Sequence, residues 1–222
     1  MEILDLGSHR IGVRFPEKGL RKGKNPAILL NDGELIEQLN LRTERAVLVG
    51  VYPNNRLSEY TPWPEPAIRP GTPDFGGQLG QYHRELNNEI LPVLIDEYAL
   101  DTEKLAYGGY SLGGLAATMS LWETDAFAAV FSLCGSFWYP GVADFIEEHV
   151  PKNHFAQVYL QNGIREGEGH NNRLCDAYSY AQRVHTALQA TCGAKTVLDD
   201  YGHHDRQSER LNAALRWVER VL

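Results

Sequence analysis

The clearest sign of chemistry in the sequence is the segment at residues 109–113, which reads Gly-Tyr-Ser-Leu-Gly and follows the pattern G-x-S-x-G. A strand-like run at 104–107 precedes the segment, and a helix-like run at 115–119 follows it. Glycines at both ends of the pattern permit a sharp turn, on which a strained backbone presents the serine hydroxyl above a sheet. This context predicts that Ser111 is a nucleophile, although an ordinary glycine-rich turn with an idle serine is the alternative.

A serine hydroxyl is a weak nucleophile at neutral pH, so it needs a base to accept its proton and an acid to orient that base. In hydrolases with this turn, the chain order is nucleophile, acid, histidine. The last apolar strand, at 196–198, runs into Tyr-Gly-His-His-Asp at 201–205. Successive side chains of an extended loop point in opposite directions, so only one histidine can face Ser111. We favour His204 as the base, with His203 as the alternative.

Two glutamates are candidates for the acid because they follow a predicted strand. The run at 157–160 leads into a polar, glycine-rich loop that contains Glu166 and Glu168. Both positions fit, although glutamates in such loops are usually solvated. Asp199 and Asp200 are weaker rivals, since they lie in or at the end of the last strand and close in sequence to the histidines.

The negative oxygen of a tetrahedral intermediate needs two preorganised N–H donors. The Leu112 amide is expected to be one of them, because it starts the helix after the serine, where unpaired donors and the helix dipole favour negative charge. The second is expected in the segment 31–34, Asn-Asp-Gly-Glu, which follows the apolar run at 27–30. A plain Asp-Gly turn explains that segment equally well.

One long segment interrupts the regular alternation of strands and helices. Residues 53–80 contain six prolines, and long loops inside compact domains tend to be functional. Arg56, Tyr60 and Trp63 lie in this segment and combine basic and aromatic character suited to a pocket wall. We predict that they bind substrate; a proline-stiffened loop packed by its own aromatic side chains is an equal alternative.

Short apolar runs alternate with amphipathic stretches along the chain, which is the pattern of βα units around a mainly parallel sheet. The strand-like runs lie at 27–30, 46–51, 105–107, 129–133, 157–160 and 196–198. The helix-like stretches lie near 34–40, 82–98, 113–123, 141–149, 172–190 and 206–221. Residues 11–15 alternate strictly, which predicts an antiparallel edge strand before the parallel set.

The length of 222 residues suits a single α/β domain and is too short for two domains of usual size. We therefore predict one domain over residues 1–222, with helices on both faces of the sheet. Residues 136–155 leave little room for a separate lid domain, so we expect a comparatively open cleft.

Composition excludes several classes of partner. The net charge of −8 argues against a nucleic-acid or anionic-membrane surface, because those partners require clustered Lys and Arg. No segment reaches the apolar length of a membrane span, and the acidic start at residues 1–5 is unlike a secretory signal. We expect a cytoplasmic protein that binds neither nucleic acid nor membrane. Nothing in the sequence indicates its oligomeric state.

Neither a disulfide framework nor a metal site is expected. The three cysteines are an odd number and form no C-x-x-C pair. His170, His203, His204 and Asp205 could supply nitrogen and oxygen ligands, but no spacing typical of a metal motif is present. We therefore expect the chemistry to need no cofactor.

Taken together, these motifs resemble the putative esterase family of α/β-hydrolases, which includes enterochelin esterases, esterase D and, more distantly, the mycolyl transferases. The resemblance covers nearly the whole chain from about residue 27. Gly-Ile-Arg-Glu at 163–166 is similar to the acid loop of enterochelin esterases, and Arg56, Glu59 and Thr-Pro-Trp at 61–63 are similar to a further family pattern. The segment 30–34 resembles the second oxyanion loop of the family, which implies that the Glu34 amide is the second donor.

The histidine motif of the family, Gly-Gly-His followed by Asp or Asn, matches Gly-His-His-Asp at 202–205. The match implies His204 as the base and leaves His203 where a glycine is usual. The resemblance implies an α/β-hydrolase fold and a serine esterase that acts on a small-molecule ester through an acyl-enzyme and a Ser111, His204 and Glu166 triad. An acyltransferase with the same nucleophile and a catalytically silent binding protein are the alternatives. A siderophore substrate is less expected, because intracellular enterochelin esterases carry an additional N-terminal domain.

Overall fold

A computed structural model describes residues 1–222 and places the apolar runs of the sequence side by side in one eight-stranded sheet. The strands are β1 (Glu2–Leu6), β2 (His9–Arg14), β3 (Asn25–Asn31), β4 (Val47–Tyr52), β5 (Pro64–Glu65), β6 (Phe75–Gly76), β7 (Leu100–Tyr110), β8 (Ala129–Leu133), β9 (Gln157–Gly163) and β10 (Lys195–Asp199). The main sheet has the order β1-β2-β4-β3-β7-β8-β9-β10, and β5 pairs with β6 in a separate two-stranded sheet.

Eight α-helices lie between or after the strands. They are α1 (Leu35–Gln38), α2 (Arg56–Glu59), α3 (Leu79–Glu85), α4 (Leu91–Tyr98), α5 (Leu112–Glu123), α6 (Val142–Glu148), α7 (Ala177–Cys192) and α8 (Gln207–Val221). A 3₁₀ turn, Arg173–Asp176, precedes α7. None of the helices combines the length and the apolar composition that crossing a membrane requires.

The predicted α/β class is confirmed, with a mainly parallel sheet and an antiparallel N-terminal edge. Strands β3, β4, β7, β8, β9 and β10 pair in parallel, whereas β1 and β2 pair antiparallel. The prediction of an edge strand at 11–15 is wrong in one respect, because β1 lies outside β2 and forms the true edge. The sequence signal for β1 is weak because its side chains are only partly covered or exposed.

Alternate residues of the central strands supply two apolar cores, one on each face of the sheet. In β3, Leu29 belongs to the larger core and Ile28 and Leu30 belong to the smaller one. Helices α3 to α7 cover the larger core, and α1 and α8 cover the smaller one. The predicted placement of helices on both faces is therefore confirmed.

The helical stretch predicted at 82–98 is interrupted in the structure. A π-helical turn, Leu86–Ile90, separates α3 from α4, and Pro92 lies in the first turn of α4. Proline has no N–H to donate and its ring crowds the preceding turn, so the regular i to i−4 pattern cannot continue through it.

Candidate active site

Ser111 lies on the sharp turn between the end of β7 and the start of α5. Its φ of 59° and ψ of −121° are a strained conformation for a residue with a side chain. A Cβ on Gly109 would lie 2.4 Å from the backbone of Gly113, so this close approach of strand and helix requires glycine. Two hydrogen bonds hold the turn: the Ser111 N–H donates to Leu133 O at 2.9 Å, and the Ser136 N–H donates to Ser111 O at 3.1 Å.

A continuous chain of hydrogen bonds joins Ser111, His203 and Glu166. The Ser111 Oγ lies 3.0 Å from His203 Nε2, and His203 Nδ1 lies 2.8 Å from Glu166 Oε2. The carboxylate accepts the Nδ1–H, which leaves the Nε2 lone pair to accept the serine proton. The three residues follow β7, β10 and β9 respectively, so the carboxyl ends of parallel strands bring them together.

The prediction of His204 as the residue facing Ser111 is corrected to His203. Two buried side chains determine which histidine faces Ser111. The Tyr110 hydroxyl donates to the His203 carbonyl, and Arg210 Nη1 donates to Gly202 O at 3.0 Å. They anchor the loop so that the His203 ring points at Ser111. The His204 side chain is exposed and lies edge-on to His203, with ring centroids 4.9 Å apart.

Glu166 lies where the sequence placed the acid, and its surroundings suit a charged carboxylate. The residue is only 5% exposed, and its Oε1 accepts hydrogen bonds from the Gly163 N–H at 2.8 Å and Asn162 Nδ2 at 3.2 Å. Burial raises the pKa of Glu166, but the hydrogen bond from His203 and the one from Gly163 outweigh it and leave the pKa below its usual value. Glu168 is exposed and pairs with Arg165 at 3.0 Å, away from His203.

The weaker rivals Asp199 and Asp200 do not contact the histidine. Asp199 accepts hydrogen bonds from the buried Arg210 and from Gln161 Nε2 at 2.7 Å, and Asp200 is exposed. Arg210 also donates from Nη1 to Tyr110 OH at 3.1 Å, so its ion pair with Asp199 supports both the turn at Ser111 and the histidine loop. The role of Asp199 is therefore to hold Arg210 in place.

Replacing Asp199 with asparagine is expected to destabilise the fold by about 3 kcal/mol, because it leaves the Arg210 charge buried without a counter-charge. Arg210 is 2% exposed, so water cannot replace the lost carboxylate. Urea unfolding of the wild type and the variant measures the difference. Asp200→Asn is the matched control, and this exposed change is expected to shift the free energy of unfolding by less than about 0.5 kcal/mol. Equal stabilities of the two variants would contradict the assigned role of Asp199.

The two amides predicted to bind the oxyanion have no hydrogen-bond partner within their own helical turns. Leu112 is the first residue of α5, so its N–H has no partner within the helix. The Glu34 N–H donates no hydrogen bond within the protein, and Glu34 and Ser111 line one small cavity of about 260 Å³. Both N–H groups are therefore available to a ligand, and their joint binding of one oxygen stays a prediction.

The loop that carries Glu34 is held by two of the residues predicted to bind substrate. Arg56 forms a bidentate ion pair with Asp32, at 2.7 and 2.9 Å, and Tyr60 OH accepts the Asp32 N–H at 3.0 Å. Tyr60 is completely buried, so the prediction that it contacts substrate is wrong. Arg56 lines the small cavity beside Ser111, where its guanidinium is already paired with Asp32.

Trp63 packs against other side chains of the protein, and its predicted contact with substrate stays a prediction. Its Nε1 donates to Pro140 O at 3.0 Å, and its ring packs against Tyr139 and Phe145. Neither cavity at Ser111 includes Trp63 in its wall. The alternative explanation of residues 53–80, a loop packed by its own aromatic side chains, fits Tyr60 and Trp63 better.

A larger cavity of about 510 Å³ is also lined by Ser111 and contains His203 and Glu166 in its wall. Its apolar wall consists of Ile68, Trp138, Leu174 and Ala177. Trp138 was not identified from the sequence, although the aromatic pair at 137–138 in the loop after a predicted strand is a usable signal. Ser111 therefore lines both a larger, partly apolar cavity and a smaller one whose wall is mostly polar.

One set of side chains near the site has the composition of a metal site. Possible ligand atoms of Cys134, Glu166 and His203 lie within 4.8 Å of one another. Arg210 Nη1 lies 2.9 Å from Cys134 Sγ, so a cation bound there would face a buried guanidinium. Burial raises the pKa of the Cys134 thiol well above its usual value, which keeps it protonated and a poor ligand. These residues do not fit a metal ion.

Comparison with known proteins agrees with the motifs and the fold. A model of the family described as Putative esterase matches residues 8–217. The uncharacterized protein YbbA of Bacillus subtilis (strain 168) is 29% identical over 203 residues, which cover 83% of this chain and 81% of that protein.

Solved structures of esterases and hydrolases share the fold at low sequence identity. An IroE-like serine hydrolase from Shewanella oneidensis is 18% identical with a TM-score of 0.72, covering 96% of this chain and 74% of that one. The enterobactin esterase FES from Shigella flexneri is 17% identical with a TM-score of 0.75, and the match covers 99% of this chain but 57% of that chain. The chain belongs to the Putative esterase family and is a hydrolase with the α/β-hydrolase fold.

Proposed function

We propose that this protein is a serine esterase that hydrolyses carboxylic esters of small molecules through an acyl-enzyme on Ser111. The observation that carries the proposal is the hydrogen-bonded series from Ser111 Oγ to His203 Nε2, at 3.0 Å, and from His203 Nδ1 to Glu166 Oε2, at 2.8 Å. A nucleophile, a base and an orienting acid in this geometry are what acyl transfer to a serine requires.

In the proposed reaction, His203 Nε2 takes the proton of Ser111 as Oγ bonds to the ester carbonyl carbon. The imidazolium then gives that proton to the departing alcohol, and the acyl group stays on Oγ. Water attacks the acyl-enzyme while His203 accepts its proton, and the proton returns to Oγ as the carbon–oxygen bond breaks. Glu166 holds the Nδ1–H throughout and stabilises the positive charge on the ring.

The Leu112 and Glu34 amides are proposed to bind the negative oxygen of each tetrahedral intermediate. Both N–H groups lack a partner within their own helical turn, so they carry no hydrogen bond that must break first. The pairing of Arg56 with Asp32 supports this proposal, because it holds the loop before Glu34 in one conformation.

We further propose that the described chain acts as a single domain with no lid, so that the two cavities stay open to substrate. We also propose, from the sequence, that the protein is cytoplasmic and that its chemistry needs no metal or other cofactor. Acyl transfer to an alcohol is the alternative use of the same nucleophile. Product analysis with and without an added alcohol acceptor separates transfer from hydrolysis.

Covalent labelling by a fluorophosphonate tests the proposal directly. The wild type is expected to gain one phosphonate adduct, located at Ser111 by peptide mass spectrometry, and to hydrolyse p-nitrophenyl acetate. Ser111→Ala is expected to remain folded, take no label and lose the hydrolysis. A wild type that neither labels nor hydrolyses activated esters would favour a catalytically silent binding protein instead.

A further inference from the structure

A second hydroxyl lies beside the proposed nucleophile. Ser136 follows β8, is 1% exposed, and places its Oγ 3.3 Å from Ser111 Oγ. Its backbone is held independently of the side chain, because its N–H donates to Ser111 O at 3.1 Å and its carbonyl accepts from the Tyr139 N–H at 3.0 Å. The Ser111 hydroxyl is the one hydrogen-bond partner of the Ser136 side chain in the protein.

The direction of this bond follows from the protons already assigned. His203 gives its Nδ1–H to Glu166, so its Nε2 accepts the only proton of the Ser111 hydroxyl. Ser111 Oγ has no second proton to offer and can only accept from Ser136. The Ser136 O–H is therefore the donor, and it points at the oxygen that forms and breaks the bond to the acyl group.

A hydrogen bond donated to Ser111 Oγ stabilises each state in which that oxygen carries more negative charge. In the acyl-enzyme, Oγ is the bridging oxygen of an ester and accepts hydrogen bonds weakly. When the bond from the acyl carbon to Oγ breaks during hydrolysis, charge develops on Oγ, and a hydrogen bond to it becomes stronger. The bond is worth less in acylation, because the neutral hydroxyl of the resting enzyme already accepts it.

The distance between Ser136 Oγ and Ser111 Oγ agrees with a stronger effect on deacylation than on acylation. At 3.3 Å it is longer than the usual hydroxyl distance of about 2.7–2.8 Å. Hydrogen bonds in resting active sites are often long and tighten in the transition state, which is the condition for selective stabilisation.

We propose that Ser136 is a further catalytic residue, whose hydroxyl donates a hydrogen bond to Ser111 Oγ and mainly promotes deacylation. This inference rests on the proposed esterase function. Ser136 keeps its own proton through the cycle: the proton that returns to Oγ comes from the His203 imidazolium, which received it from the attacking water. No additional reactant is needed.

Stopped-flow hydrolysis of p-nitrophenyl acetate separates acylation from deacylation. The rate of the first turnover reports acylation, and the steady-state rate reports deacylation when deacylation is the slower step. Ser136→Ala is expected to slow deacylation by about tenfold to a hundredfold and acylation by less than about fivefold. The variant should therefore show a burst of one equivalent of p-nitrophenol, and mass spectrometry should find the acetyl group on Ser111. Ser136→Cys, which retains a weaker donor, should give an intermediate deacylation rate.

Ser132→Ala is the matched control, because the Ser132 hydroxyl is buried in β8 without a hydrogen-bond partner and does not contact Ser111. It should keep both rates. An unchanged Ser136→Ala variant, or equal loss in acylation and deacylation, would overturn the role of Ser136 while leaving the proposed function intact. Absence of labelling and turnover in the wild type would instead remove the proposed function, and this inference with it.

Discussion

Replacing His203 with alanine is expected to lower kcat/KM for ester hydrolysis by about 10⁴-fold or more, because Ser111 loses the group that accepts its proton. His203 Nε2 is 3.0 Å from Ser111 Oγ, and no other side-chain base contacts that oxygen. The fluorophosphonate reaction needs the same proton transfer, so labelling of Ser111 should slow in parallel. Initial rates with p-nitrophenyl acetate and the time course of labelling measure the two effects.

The neighbouring histidine provides an exacting control for this prediction. His204→Ala removes an identical side chain from the next position, but that side chain is exposed and makes no hydrogen bond to Ser111. Its kcat/KM should stay within the same order of magnitude as that of the wild type. A larger loss from His204→Ala than from His203→Ala would mean that the loop at 202–205 rearranges when substrate binds.

Replacing Glu166 with glutamine is expected to lower kcat by about 10³-fold to 10⁴-fold without unfolding the protein. The Glu166 carboxylate accepts hydrogen bonds on both oxygens, from His203 on one and from Gly163 and Asn162 on the other. A glutamine has one acceptor oxygen, so its NH₂ group must face either the His203 Nδ1–H or the Gly163 N–H. The first arrangement forces the wrong tautomer of His203, and the second displaces the side chain.

Glu168→Gln is the matched control for Glu166→Gln, since both change a carboxylate to an amide in the same loop. Glu168 is exposed and pairs with Arg165, and this pair does not reach His203. The kcat and the labelling rate of the Glu168→Gln variant should match those of the wild type. If Glu166→Gln retained full activity, His203 would have to be oriented by the loop alone, through Tyr110 and Arg210.

The architecture was predictable because it depends on patterns that are local along the chain. Apolar runs of strand length and amphipathic stretches between them located the parallel strands and most helices to within a few residues. Two elements were missed or misjudged for different reasons: β1 has a weak apolar pattern, and the π-helical turn keeps the apolar pattern of a regular helix. β1 pairs along one side only, and the π-helical turn before Pro92 interrupts a helix whose apolar pattern continues on both sides.

The substrate-loop residues show a different limit. Arg56, Tyr60 and Trp63 have the composition of a pocket wall, yet the fold uses Tyr60 and Trp63 to pack the loop and uses Arg56 to hold Asp32. Residue type cannot distinguish an aromatic side chain that faces a cavity from one that faces the core. Ser136 and Trp138 do lie at the site, in the loop after a strand, where the aromatic pair at 137–138 is the one sequence signal.

By itself, the sequence determined that Ser111 lies on a nucleophile turn, because the required backbone geometry depends on glycines within two residues of it. It also placed an acid and a histidine after the correct strands, since parallel strands end at one edge of the sheet. Only the tertiary structure decided between His203 and His204 and between Glu166 and Glu168. Those choices depend on which side chain a loop turns inward. The histidine loop is held in its orientation by Arg210 and by Tyr110, which is distant from it in sequence.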